Sequence, residues 1–218
     1  FPTLGDALIE LSYRGVSGPA DVIVDSGTYA GPVIAFPVPG AGAEAPVLLR
    51  ALGAGTILTT DSGDAVITFD GADFIALDGF DIEATGECPG GVLMRGAADS
   101  NLVRSCRITG DDSLNNGTFG VRIETDHNND NHLDDLTISG VYTGIAFQNG
   151  PSNAQCTGNR VEGCTISRAR YGIYVDNQVN CRITGCDIQP GSLVPLAGAC
   201  YGVYIASLGT GGSCTVGG

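Results

Sequence analysis

From residue 75 onward, apolar side chains fall on alternate positions in short runs broken by glycine and polar residues. One phrase couples glycine to a β-branched residue, at Gly91-Val92, Gly120-Val121, Gly144-Ile145, Gly172-Ile173 and Gly202-Val203, spaced 29, 24, 28 and 30 residues apart. A second phrase lies between these: "NLVRSCRI" (101–108), "NHLDDLTI" (131–138), "NRVEGCTI" (159–166) and "CRITGCDI" (181–188), with an earlier copy, "IALDGFDI" (75–82). Alternation with period two predicts strands with one buried face. The predicted core is Val92/Met94, Val121/Ile123, Ile145/Phe147, Ile173/Val175 and Val203/Ile205 from the first phrase. The second adds Val103, Leu133, Val161 and Ile183, a column of Phe80, Cys106, Leu136, Cys164 and Cys186, and the isoleucines 82, 108, 138, 166 and 188.

A unit of this length, with two or three short strands, cannot bury its apolar face alone; stacked units can. The gaps between phrases are short, polar and glycine-rich, which excludes alternating strand–helix folds. The expectation is an all-β, single-stranded parallel β-helix of about 7 coils, forming one domain over residues 1–218. Residues 1–20 are expected to form an N-terminal cap segment and 21–218 the coils. Thr3 can cap a helix with Asp6 at the third helical position, and Leu4, Ala7, Leu8 and Leu11 follow helical spacing. Such a helix would cover the first coil, although a partner-binding helix is the competing reading. At the other end "CTVGG" (214–218) starts another copy and then stops. The expected C-terminal end is uncapped: a fragment, a longer natural chain, or a face covered by another subunit stacked end to end.

The phrases "NRVEGCTI…YGIYV" and "NLVRSCRI…FGVRI" resemble the right-handed parallel β-helix repeat of the pectin-lyase-like superfamily. "VIVDSGTYAGPVIA" (22–35) resembles the first coil of such proteins, where a G-T-Y turn follows the opening strand. "FPTLGDALIELSYRGVSGP" resembles the start of β-helix modules in large secreted bacterial surface proteins. The resemblance implies a right-handed coil; it does not single out a function, since this fold hosts lyases, hydrolases, adhesins and structural proteins. The chain departs from the superfamily where stacked asparagines often fill the inward column. Here that column reads Phe, Cys, Leu, Cys, Cys, and asparagine stands instead at Asn101, Asn131 and Asn159, placed to satisfy backbone groups at a turn.

The net charge of −14, with ten arginines and no lysine, opposes nucleic-acid binding. No run of about 18 apolar residues predicts a membrane helix. Eight cysteines without C-x-x-C spacing speak against zinc and point to an oxidising, extracellular or cell-surface location. Cys164 and Cys186 share a column in neighbouring coils, so a disulfide is open to them, with packing as buried thiols slightly favoured. Cys181 and Cys214 share the asparagine column and could bond at a turn, with Cys156 competing for Cys181.

Candidate chemistry is sparse. The superfamily's polygalacturonase-like hydrolases use several aspartates, a G-H-G and an R-x-K; only Asp111 and Asp112 in "GDD" echo this, and a solvated loop is the plainer reading. Its lyases commonly use a lysine or arginine base, and arginine normally stays protonated. Asp126, Asn128 and Asp130 alternate as in Ca²⁺ loops but lack the glycine and glutamate of that pattern, so a polar turn competes with Ca²⁺, the one cofactor suggested. Asn116 begins an N-x-T glycosylation sequence. Tyr174 and Tyr204 should point outward from neighbouring coils, with Tyr171 and Tyr201 as a second column; such ladders stack structurally or bind sugar rings. The expected function is an extracellular structural or surface module, self-associating end to end or part of a larger surface protein. The alternatives are a polysaccharide-acting enzyme or a passive glycan-binding module.

Overall fold

The computed structural model describes residues 1, 3–111, 117–124, 126–148, 154–189, 191 and 200–217. Asp112 and Asn116, two of the candidates above, lie outside the described residues. The N-terminal helix spans Leu4–Arg14. The Thr3 hydroxyl accepts the Asp6 N–H at 3.0 Å and donates to the Asp6 carboxylate at 2.6 Å, closing the first turn as the sequence suggests. Gly15, at φ 69°, ends the helix by donating its N–H to the Leu11 carbonyl. Leu4 and Leu8 are buried among Val24, Val33 and Val38. The helix therefore closes the apolar interior at this end.

From Ala20 onward the chain winds through three faces, each a parallel ladder built by successive turns. The first face is a sheet of eight strands, beginning with Ala20–Val24 and ending with Cys214–Gly217. The second face starts at Gly27–Ala30 and the third at Val33–Ala35, and the two merge into one sheet of twelve strands. They merge because Thr137–Phe147 and Thr165–Val175 run unbroken around the corner between them. The G-T-Y sequence expected as a turn lies in the strand Gly27–Ala30, and the bend falls just before it, at Asp25–Ser26.

Each phrase of the "NLVRSCRI" type is two strands rather than one: Leu102–Arg104 lies on the first face and Arg107–Thr109 on the second. The break is a single residue in the left-handed region, repeated turn after turn as Gly79 (φ 80°), Ser105 (50°), Asp135 (52°), Gly163 (63°) and Gly185 (63°). The residue after it points inward, which places Phe80, Cys106, Leu136 and Cys164 in the core. The predicted isoleucine column is buried at 82, 108, 138 and 166, as is the valine–isoleucine column at 92, 121, 145 and 173.

The recurring glycines have a different reason. Gly91, Gly120, Gly144 and Gly172 have no left-handed φ. A Cβ on them would lie 2.4, 2.4, 2.5 and 2.2 Å from the Cγ2 of Ile108, Ile138, Ile166 and Ile188, one turn further on. What they supply is space, not the freedom to bend. Gly202, in the last described turn, meets nothing within 4 Å.

At the corner from the third face back to the first, asparagine forms a ladder after all. The side-chain oxygens of Asn101, Asn131 and Asn159 accept the backbone N–H of Ile75, Asn101 and Asn131 in the preceding turn, at 2.9–3.0 Å. Their amide groups donate to the carbonyls of Ala72, Ala98 and Asn128. All three are buried, and each satisfies backbone groups that the bend takes out of the sheet ladders. A second ladder runs beside it: the N–H groups of Asp99, Asn129 and Thr157 donate to the side-chain oxygens of Asp73, Asp99 and Asn129 in the preceding turn.

Candidate functional site

The outward surface of the third face holds the densest grouping of aromatic side chains. Strand register sets Phe119, Thr143, Tyr171 and Tyr201 in one row, and Arg122, Ala146, Tyr174 and Tyr204 in the next. Because neighbouring turns repeat in register, side chains of one row stack. The Tyr171 and Tyr201 rings are 5.2 Å apart and nearly coplanar in orientation, at 8°, and Tyr174 and Tyr204 are 5.4 Å apart at 27°. Edge contacts join the two rows, Tyr201 to Tyr204 at 5.1 Å and Tyr171 to Tyr174 at 5.8 Å. Tyr142 extends the group, 5.7 Å from Tyr171.

One arginine borders these rings, and a second stands two strands away on the same face, beyond Ala146. Arg170 lies 5.4 Å from the Tyr142 ring centroid and 5.7 Å from that of Tyr171, and it donates to the Tyr142 hydroxyl at 2.9 Å. Arg122 sits 4.0 Å over the Phe119 ring, within cation–π range. Among the described residues, the buried Nε atoms of Arg122 and Arg170 have no hydrogen-bond partner. Burial pulls the Arg122 guanidinium below its usual value, partly offset by Glu124. Burial pushes Glu124 up against the pull of Arg122, and it likewise raises the Tyr171 and Tyr174 phenols. The patch thus presents neutral phenol groups, apolar ring edges and a cationic guanidinium plane together. The four tyrosines expected from the sequence are brought together; Tyr142, Arg122, Arg170 and Phe119 were missed. Arg122 shares a register row with Tyr174, and Arg170 precedes Tyr171, so aligning the phrases row by row would have exposed both.

The first face contrasts with this surface. Its outward positions pair charges: Arg104 binds Asp78 at 2.7 Å, with Arg50 3.8 Å from the same carboxylate, and Arg182 lies 3.7 Å from Glu162, whose other oxygen is 3.2 Å from the His132 ring. A groove of ≈ 290 Å³ on that face is lined mainly by apolar residues, Leu48, Phe74, Ala76 and Leu102 among them.

The other candidates are not assembled into a site. Asp111 is exposed at the end of a described segment. Asn128, one of the three alternating Ca²⁺ candidates, is buried; its oxygen accepts the Ala98 N–H at 2.7 Å and its amide donates to the Glu124 carbonyl. Both side-chain groups of Asn128 are thus engaged with backbone. Among the described residues no group of three or more His, Cys, Asp or Glu could hold a metal ion. Cys156 does not compete for Cys181: its register partner is Gln178, and its thiol donates to the Glu124 carbonyl at 3.4 Å. Cys181 faces Cys214 directly. All eight cysteines are present as thiols. Among the described residues no helix is long and apolar enough to cross a membrane.

Known proteins can be set beside this geometry. The alginate lyase of Paenibacillus sp. str. FPU-7 superposes with a TM-score of 0.60 at 14% identity, over 98% of this chain and 92% of that one. The pectin methylesterase of Aspergillus niger aligns with a TM-score of 0.46 at 15% identity, over 97% of this chain and 83% of that one. At these identities the first likeness establishes the fold and no activity, and the second carries no argument. No curated protein matches the sequence. The family described as "Right handed beta helix region" matches residues 54–217. With its three parallel faces, its in-register columns and this match over most of its length, the chain belongs to the right-handed β-helix family and has a pectin-lyase-like fold.

Proposed function

We propose that this protein is an extracellular, non-enzymatic β-helix module that binds polysaccharide on the outward surface of its third face. The observation that carries the reading is the five-tyrosine cluster bordered by Arg170. Tyrosine offers an apolar body with a polar tip, suited to sugar rings whose C–H faces alternate with hydroxyls. Arginine adds planar, multidentate donors that match carboxylates and hydroxyls. An elongated row on an open sheet suits a polymer better than an enclosed pocket does. The net charge of −14 opposes a polyanion over the molecule as a whole, so an acidic glycan is favoured only locally, by the guanidinium of Arg170 beside the rings.

Affinity electrophoresis tests this reading with alginate, polygalacturonate and a neutral glucan in the gel. We expect retardation in at least one polyuronate gel. The double variant Tyr174→Ala/Tyr204→Ala should weaken binding by roughly tenfold or more, as loss of stacked aromatic contacts does. Equal mobility with and without glycan would remove the proposal. Release of unsaturated or reducing ends during the incubation would replace passive binding with catalysis.

A second reading is self-association at the last coil, and the exposure there of Ile205, Leu208 and Val216 favours it. Filaments or end-to-end pairs in electron micrographs would support it, and a strictly monomeric particle at high concentration would remove it.

A further inference from the structure

Two pairs of cysteines stand directly above one another in consecutive turns. Cys181 and Cys214 open adjacent strands of the first face and are register partners. Cys164 and Cys186 occupy the same corner one turn apart, each between the register pairs Glu162–Thr184 and Thr165–Asp187. Partner residues on adjacent parallel strands have Cα atoms ~4.8 Å apart, within the range a disulfide spans. The Cys164 thiol donates to the Glu162 carbonyl at 3.4 Å and the Cys186 thiol to the equivalent Thr184 carbonyl at 3.5 Å, so the two side chains leave the same corner in the same direction. The other described cysteines are placed differently. Cys106 stands two turns from Cys164 with Leu136 between them, and the Cys88 thiol donates to the Gly90 carbonyl at 3.4 Å.

We propose that Cys164–Cys186 and Cys181–Cys214 are two disulfide sites that staple the last turns of the helix to one another when a disulfide oxidant is present. The strand Tyr201–Ile205 lies in sequence between Cys186 and Cys214, so the two bridges bracket the outermost pair of the tyrosine rows. In each pair the C-terminal member is the more exposed: Cys186 and Cys214 are half-buried, while Cys164 and Cys181 are buried. Being the more exposed, Cys186 and Cys214 are the sulfurs an oxidant reaches first, and the neighbouring thiols Cys164 and Cys181 lower them in the same sense.

With oxidised glutathione as oxidant, the Cys186 thiolate attacks one sulfur and releases one glutathione thiolate. The protein then carries a mixed disulfide. Cys164 loses its proton and attacks Cys186 Sγ, releasing the second glutathione. Two protein thiols are oxidised, one glutathione disulfide is reduced to two thiols, and the two protein protons end on them. Cys214 and Cys181 follow the same course. This inference is independent of glycan binding.

The test uses the full chain with exposed Cys200 replaced, Cys200→Ser, reduced and then equilibrated with oxidised glutathione, alkylated, and digested with trypsin and an Asp-specific protease. No arginine follows Arg182, and Asp187 separates Cys186 from Cys214, so the pairings fall in different peptides. We expect peptide 161–168 joined to 183–186, and 176–182 joined to 187–218. The oxidised protein should melt higher than the reduced one by roughly 5–10 °C per bridge, and Cys164→Ala and Cys181→Ala should each abolish one increment. Alkylation of either pair after oxidation, crossed pairing such as Cys181 with Cys186, or an unchanged melting temperature overturns the proposal.

Discussion

Two turns of the coil, the one beneath the N-terminal helix and the one at Cys214–Gly217, are built from the same repeat and packed differently. Over the first, Leu8 is 1% exposed, because the helix lies across the open interior and fills it. In the second, Val216 is 52% exposed, although it continues the fully buried column of Leu49, Leu77, Val103, Leu133 and Val161. Identical side-chain chemistry is core in one turn and surface in another. In a solenoid each turn completes its neighbour's interior, so burial belongs to the stack rather than to the residue.

The largest break in this comparison should come from the cap. Leu8→Ala is expected to cost about 2–4 kcal/mol, since a buried leucine leaves a cavity. Val216→Ala should cost about 0.5 kcal/mol or less, as exposed substitutions do. Urea unfolding of the two variants measures the contrast, and equal losses would show that the helix is not closing the core.

A smaller effect separates inner from outer glycines. A Cβ at Gly144 would lie 2.5 Å from Ile166 and 2.6 Å from the Gly172 carbonyl, whereas Gly202 has open space. Gly144→Ala should lose about 1–3 kcal/mol through overpacking, and Gly202→Ala should be close to neutral. A stable Gly144→Ala protein would mean that adjacent turns slide apart more easily than their register suggests.

The smallest effect concerns charge in the inner corner ladder. Burial, helped by the repulsion of Asp73, raises the Asp99 carboxyl while the Asn129 N–H opposes the rise. The folded protein then binds this proton more tightly than the unfolded chain does. Its contribution to stability is favourable at low pH and is lost as pH rises through the folded value. Asp99→Asn keeps an oxygen for the Asn129 N–H and removes the titration. The variant should be slightly more stable near neutrality and should lose that advantage on acidification, read from thermal unfolding at several pH values.

Much of this was legible in the chain. The alternation at Val121/Ile123 and Ile173/Val175 located inward columns, and Thr3 with Asp6 located the helix start. The corner at Ser105 was not legible, because serine carries no mark of a left-handed backbone, and two strands read as one phrase. The partner of Asn128 was not legible for a related reason: the sequence does not say that the preceding turn offers the Ala98 N–H to its side chain. Tyr171, Tyr174, Tyr201 and Tyr204 were recognisable as rows, but Arg122 and Arg170 joined them only through register and side-chain reach.

The recurring "YGIYV" and "YGVYI" sum up the division. By itself the sequence determined that the chain repeats, that it alternates, and that Ile173 and Val203 share a core column, because period-two patterning encodes which face is wet. Only the tertiary structure decided why the glycine is there and which neighbours the tyrosines meet. Both depend on the turn stacked one strand spacing away, and contacts between turns some 24–30 residues apart are set by packing rather than by any local preference of the chain.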